Sequence, residues 1–159
     1  MMLILRVTLF TVVVPGTVAG LLPFLIVGDR AVAGGASLGL ACGLFAFGLV
    51  IYLRSARDFA VFGSGTPAPM DAPKRLVTRG FYRYTRNPMY VAVLAMVMGW
   101  ATLFGAAVLV GYAILLFVVF SLFIRLYEEP RLVREFGEEY ATYSSEVGRW
   151  LPRRSRGRV

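Results

Sequence analysis

Charged residues are absent from three long stretches of the chain: Val7 to Gly28, Ala31 to Leu53, and Asn87 to Ile124. The first two contain 22 and 23 residues, and a helix that crosses a bilayer needs roughly 20. The third contains 38 residues. As one helix it would reach about 57 Å at ~1.5 Å per residue, nearly twice a hydrocarbon core of ~30 Å. It must fold back, most simply near Phe104-Gly105, as a helical hairpin. The pattern therefore predicts an all-α integral membrane fold in a single domain over residues 1–159. Its four transmembrane helices cover about 4–28, 31–53, 88–104 and 106–127, with residues 54–87 as the loop between the second and third.

Beyond Ile124 the pattern changes. Leu132, Val133, Phe136, Tyr140 and Tyr143 share a stripe at helical spacing. This predicts an amphipathic C-terminal helix over about 130–146, starting at Pro130, a favoured first-turn residue, and lying along the membrane interface. Trp150 suits the headgroup level. The loop segment from Ser55 to Pro73 is rich in Gly, Pro and Ser and lacks periodicity. Its Phe59, Val61, Phe62 and Met70 are too apolar for a free linker, so it is expected to lie on the membrane or over a pocket. In the first span, Pro15 and Pro23 each remove a backbone donor. In the second, Gly35, Gly39 and Gly43 form a small-residue face. That face can pack inside the monomer, with Gly16 and Gly20 as its partner, or serve a homodimer.

Composition agrees with a membrane protein. The chain is 58% hydrophobic and 16% charged, against about 25% charged in soluble domains. A cleaved signal peptide competes for the N-terminus, but its apolar region would span only about 7 to 15 residues. Seven of the 17 cations lie between Arg54 and Arg86, and eight between Arg125 and Arg158. Lys/Arg-rich loops stay cytoplasmic, so both termini are expected in the cytoplasm, for a protein of the bacterial inner membrane. A net charge of +8 could suggest nucleic acid, yet these arginines answer first to topology and to anionic lipid headgroups. Nucleic-acid binding is set aside. The lone Cys42 excludes a disulfide framework and a metal cluster, and the chain has no histidine.

Two clusters flank the long apolar stretch. Before it, "RGFYRYTRNPMY" crowds arginines and aromatics into residues 79–90. After it, Arg125, Glu128 and Glu129 close the fourth span, with Arg125 at offsets that share a face with both glutamates. Pro130 disfavours helix at Glu129, so the carboxylates are expected at a bend suited to recognising a cation. Alone, each cluster reads as a boundary salt bridge or an interfacial aromatic belt. Because a hairpin returns to its starting face, the two must be neighbours. Together they outline a pocket for a zwitterionic ligand with an aromatic base.

The same residues carry a resemblance. "LVTRGFYRYTRNPMY" resembles the pattern LVT-x-G-x-Y-x3-RHP-x-Y of the isoprenylcysteine carboxyl methyltransferases and related membrane phospholipid methyltransferases. "EEPRLVREFGEEYATY" followed by "LP" resembles their EE-x6-FGEEY-x2-Y…P tail. The likeness covers roughly residues 74–152. It implies S-adenosylmethionine as cofactor and a lipophilic acceptor arriving from the bilayer. Carried over by position, Lys74, Leu76, Val77, Tyr82, Arg86, Asn87, Pro88, Met89 and Tyr90 would line the cofactor pocket. Glu128 and Glu129 would hold its cationic end. Arg125 is the nearest match to a family arginine that contacts a substrate carboxylate, so Arg125 and Glu128 are the candidate catalytic residues.

Asn87 stands where many members have histidine, so an imidazole base is excluded. A carboxylate acceptor is already ionised at neutral pH and needs alignment and desolvation rather than a base. An amine would arrive protonated. Missing histidine therefore leans the acceptor toward a carboxylate or a thiolate, and the expected activity is methyl transfer to a small lipophilic acceptor, first of all a carboxylate, at the cytoplasmic face. Phospholipid N-methylation and a catalytically silent scaffold are the alternatives.

Overall fold

The computed structural model describes residues 2–63 and 75–153, with side chains from Thr8 onward in the first helix. Regular structure among the described residues is entirely helical. The chain runs α1 (Met2–Gly16), a π turn (Thr17–Leu21), α2 (Leu22–Val27), α3 (Ala36–Asp58) and a second π turn (Phe59–Gly63). A 3-10 turn (Gly80–Arg83) then leads to α4 (Pro88–Phe104), α5 (Ala107–Phe123), a third π turn (Ile124–Glu128) and α6 (Glu129–Glu146). Among the described residues, three helical runs are long and apolar enough to cross a membrane: Thr8–Val27, Ala36–Gly63 and Ala107–Glu146. Pro88–Phe104 is a shorter apolar helix.

The expected turn between α4 and α5 is present. Gly105 takes φ +57°, left-handed, and caps α4, a common way to end a helix. The amide of Ala106 then donates to the Ala101 carbonyl at 2.9 Å. The second span differs from its expected limits, because Ala31–Gly35 is not helical and α3 instead continues to Asp58.

The glycine face expected to pack α3 lies elsewhere. Gly39 and Gly43 have nothing within 4 Å of where a Cβ would sit, and Gly20 is equally open. The helix contact uses Ala41, Gly48 and Ser55, all buried, which recur every seven residues. This stripe is offset by two positions, about 200° around the helix, from the Gly39 face. At Gly48 a Cβ would lie 2.8 Å from the Ala92 carbonyl oxygen, and at Gly99 one would press on the Phe45 ring. Small residues thus bring α3 and α4 together. Ile51, Tyr52, Ala92, Val93, Val97, Ala113 and Leu116 complete the core. Large apolar side chains such as Leu40, Phe47, Ile114 and Leu122 point outward, as contact with lipid requires.

Pro23 shows how the first span keeps its backbone satisfied. It has no N–H to offer the carbonyls of Val18 and Ala19, five and four residues back. Those oxygens instead accept from Tyr112 Oη at 3.0 Å and Trp100 Nε1 at 2.9 Å. Neighbouring helices commonly repair proline defects in this way inside membranes.

α6 follows α5 through a π turn and does not start afresh at Pro130. Its expected stripe is broken at Gly137, whose φ +50°, ψ −120° is not helical. Val133, before the break, is exposed, whereas Tyr140 and Tyr143, after it, turn inward and are buried. Of the loop residues, Met70 lies outside the described residues.

Candidate functional site

Gly80 begins the first wall. Its φ is +57°, and a Cβ there would collide with the Asp58 carboxylate. Only glycine fits, and the resulting 3-10 turn directs Tyr82 into the interior. Burial is the largest influence on the Tyr82 hydroxyl and holds it well above its ordinary pKa, with Tyr143, Glu128 and Asp58 adding to the effect. The Tyr82 carbonyl accepts from Tyr143 Oη at 2.8 Å. Asn87 then precedes α4, with Pro88 in the first turn.

The expected meeting of the two clusters is present. Tyr90 Oη donates to Glu128 Oε1 at 2.5 Å. Arg86 Nη1 lies 3.1 Å from Glu129 Oε1 and donates to Tyr140 Oη at 2.9 Å. The two carboxylates differ in company. Glu129 is also gripped by Arg149, with Nε at 2.8 Å from Oε1 and Nη2 at 2.6 Å from Oε2. That bond is the main reason the Arg149 guanidinium titrates above its ordinary range. Glu128 lies past the last apolar turn of α5, and burial pushes its carboxyl up; the Tyr90 hydrogen bond partly offsets this and Glu129 adds to it.

These groups line one cavity. Leu76, Val77, Tyr82, Arg86, Asn87, Pro88, Met89, Tyr90, Glu128 and Glu129 all reach it, as do Arg131, Tyr140 and Tyr143. Its apolar side comes from Phe10, Val14 and Val18 of the first span with Phe120 and Ile124 of the α5 end. Lys74 lies outside the described residues. Arg125, expected at the site, is exposed and is not among the residues that line the cavity. Between Arg125 and the glutamates runs the π turn Ile124–Glu128, where the Glu129 amide reaches five residues back to the Ile124 carbonyl. A π turn adds a residue to the helical turn, so the offsets that would align Arg125 with both glutamates no longer apply.

A family model described as phospholipid methyltransferase matches residues 36–139, most of the chain. The chain belongs to that family. No curated protein and no solved structure matches it. Membership in the phospholipid methyltransferase family implies a methyltransferase, and the apolar helices fit a multi-pass membrane protein. Within the matched region lie both wall motifs, the RNP turn and the glutamate pair. The first-span residues of the cavity and Arg149 fall outside it.

Sequence reasoning missed Arg149, Arg131, Thr85 and the first-span residues. Arg149 sits in a tail of arginines that topology alone would explain. Phe10, Val14 and Val18 carry no signal separating a cavity wall from a lipid-facing surface.

Proposed function

We propose that this protein transfers a methyl group from S-adenosylmethionine to a lipophilic acceptor at the cytoplasmic membrane–water boundary. Four membrane crossings, with both termini in the cytoplasm, belong to this reading. The observation that carries it is the polar end of the cavity. There, Arg86 Nε is buried with no hydrogen-bond partner, and the half-buried Glu128 takes the Tyr90 hydroxyl at one carboxylate oxygen. Such a pair suits the two ends of a zwitterion: Arg86 would hold the methionyl carboxylate, and Glu128 the cationic end.

When bound, S-adenosylmethionine supplies an electrophilic sulfonium methyl. The chain's own residues supply placement. Glu129 and Tyr140 fix the Arg86 guanidinium, while Leu76, Val77, Tyr82 and Met89 wall the site. The apolar side, with Phe10, Val14, Val18 and Phe120, would receive the acceptor's hydrocarbon and exclude water, which favours in-line displacement by a desolvated nucleophile. A carboxylate acceptor needs no base and suits a chain without histidine. Phospholipid N-methylation is the second reading, favoured by the family's description; Glu128 would then hold the headgroup cation.

Calorimetric titration with S-adenosylhomocysteine tests the cofactor. Incubating membranes with methyl-labelled cofactor, then extracting lipid, tests the acceptor. Label released by alkali as volatile methanol identifies an ester, and alkali-stable label an N-methyl group. Absence of both binding and lipid label would leave the silent scaffold.

A further inference from the structure

After α6, the segment from Val147 to Trp150 crosses back beneath the start of α4. The Arg86 amide donates to the Gly148 carbonyl at 2.9 Å. The Arg149 carbonyl accepts from two side chains, Thr85 Oγ1 at 2.9 Å and Asn87 Nδ2 at 3.0 Å. Its guanidinium takes both oxygens of Glu129. Trp150 then packs against Phe117 with the rings tilted, their centres 4.8 Å apart. The bend is tight: a Cβ on Gly148 would collide with the Leu151 carbonyl oxygen.

Arg149 does not line the cavity, yet it touches both of the turns that do. We propose that Arg149 is a positioning residue, and that the segment 147–150 is a strap holding the RNP turn and the glutamate turn in register. Its backbone oxygen fixes Asn87 and Thr85, and its planar fork fixes Glu129. Glu129 in turn orients Arg86. A bidentate arginine–carboxylate pair sets direction as well as distance, which lysine does not reproduce. Asn87 also acquires a role without acid–base chemistry, since its amide N–H is a latch for the strap. Only the affinity measurement below rests on the cofactor reading proposed above.

The full-length protein in nanodiscs, labelled with 5-fluorotryptophan, provides a readout independent of cofactor. The chain has two tryptophans, Trp100 and Trp150, so two fluorine lines are expected, assigned with Trp150→Phe. In Arg149→Ala the Trp150 line should move toward its solvent-exposed position while the Trp100 line stays. S-adenosylhomocysteine affinity should fall roughly 10- to 100-fold, the loss of a charge-assisted contact. Arg149→Lys should recover only part of it, and added ethylguanidinium should partly restore Arg149→Ala. Gly148→Ala, which keeps the guanidinium but displaces the bend, should move the same line and weaken binding. An unmoved Trp150 line in Arg149→Ala overturns the proposal. So does a moved line with unchanged affinity. If the unsubstituted protein binds no S-adenosylhomocysteine, the cofactor reading falls alone, and the Trp150 line still decides whether Arg149 holds the strap.

Discussion

The Tyr90 hydroxyl donates to Glu128 at 2.5 Å across 38 positions of chain. This bond joins the first turn of α4 to the π turn after α5, and it bears on the charge of Glu128. Burial raises that carboxyl above its ordinary 4.5, whereas the Tyr90 bond favours the ionised form and pulls the other way. A cation binds the ionised carboxylate. S-adenosylhomocysteine affinity should therefore be full at high pH and fall as pH drops through the raised value. Tyr90→Phe removes the lowering influence, so the fall should begin at higher pH. Calorimetry across pH checks this, and an identical acid limb in both proteins would remove Glu128 from cation binding.

The two glutamates should fail differently. Glu128→Gln loses one charge-assisted contact, about 1.5 to 3 kcal/mol, so affinity should drop roughly 10- to 150-fold with the unfolding midpoint nearly unchanged. Glu129→Gln leaves Arg86 and Arg149 together without their shared carboxylate, and its midpoint should fall as well. Thermal unfolding followed beside calorimetry separates them. A Glu129→Gln protein with an unchanged midpoint and the same affinity loss would make the carboxylates equivalent, as the sequence alone suggests.

That contrast marks what was legible in the sequence. The fold-back near Gly105 follows from the length of an uncharged run. The meeting of the RNP and EEP turns follows from the hairpin, because a hairpin returns to its starting face. Neither the side of α3 that packs nor the facing of Arg125 could be read. Both depend on helix phase, and in membrane helices apolar residues lie on every face. A π turn shifts that phase within one turn, and the residues "IRLYE" give no sign of it. Gly137 breaks the α6 stripe for a similar reason, since a single left-handed residue resets every later side chain.

Gly80→Ala should damage the first wall in two separable ways. A left-handed conformation costs a non-glycine residue about 1 to 2 kcal/mol, and the new methyl meets Asp58. Adding Asp58→Ala removes the collision but not the backbone cost. The double variant should thus regain part of the stability lost in Gly80→Ala. Thermal unfolding of the three proteins checks this; a double variant no better than Gly80→Ala would mean the carboxylate simply moves aside.

Topology is tested by labelling. In a Cys42→Ala background, cysteines at Asp29 and Ala107 should react with an impermeant maleimide added to intact cells. One at Ser145, exposed on α6, should react only after the cells are opened. Labelling at Ser145 in intact cells would invert the orientation or change the number of crossings.

Arginine placement gives the sharpest contrast between sequence and structure. The family resemblance makes Arg125 the expected partner of an acceptor carboxylate, but it is exposed and is not among the residues that line the cavity, whereas Arg131 reaches the lining. Arg131 lies 3.9 Å from Glu135, a turn away, with both side chains partly exposed. If acceptor placement follows the cavity, Arg125→Ala should keep cofactor affinity and turnover within about twofold, as exposed substitutions usually do. Arg131→Ala should lower turnover roughly 10- to 100-fold, the scale of lost positioning, while cofactor affinity holds. Arg131→Lys should recover little if the acceptor carries a planar carboxylate, and more if it carries a phosphate that a point charge can also bind. Turnover and calorimetric affinity measured on the same preparations distinguish these outcomes. Lost turnover in Arg125→Ala with normal turnover in Arg131→Ala would return the role to Arg125 and require the π turn to rewind when substrate binds.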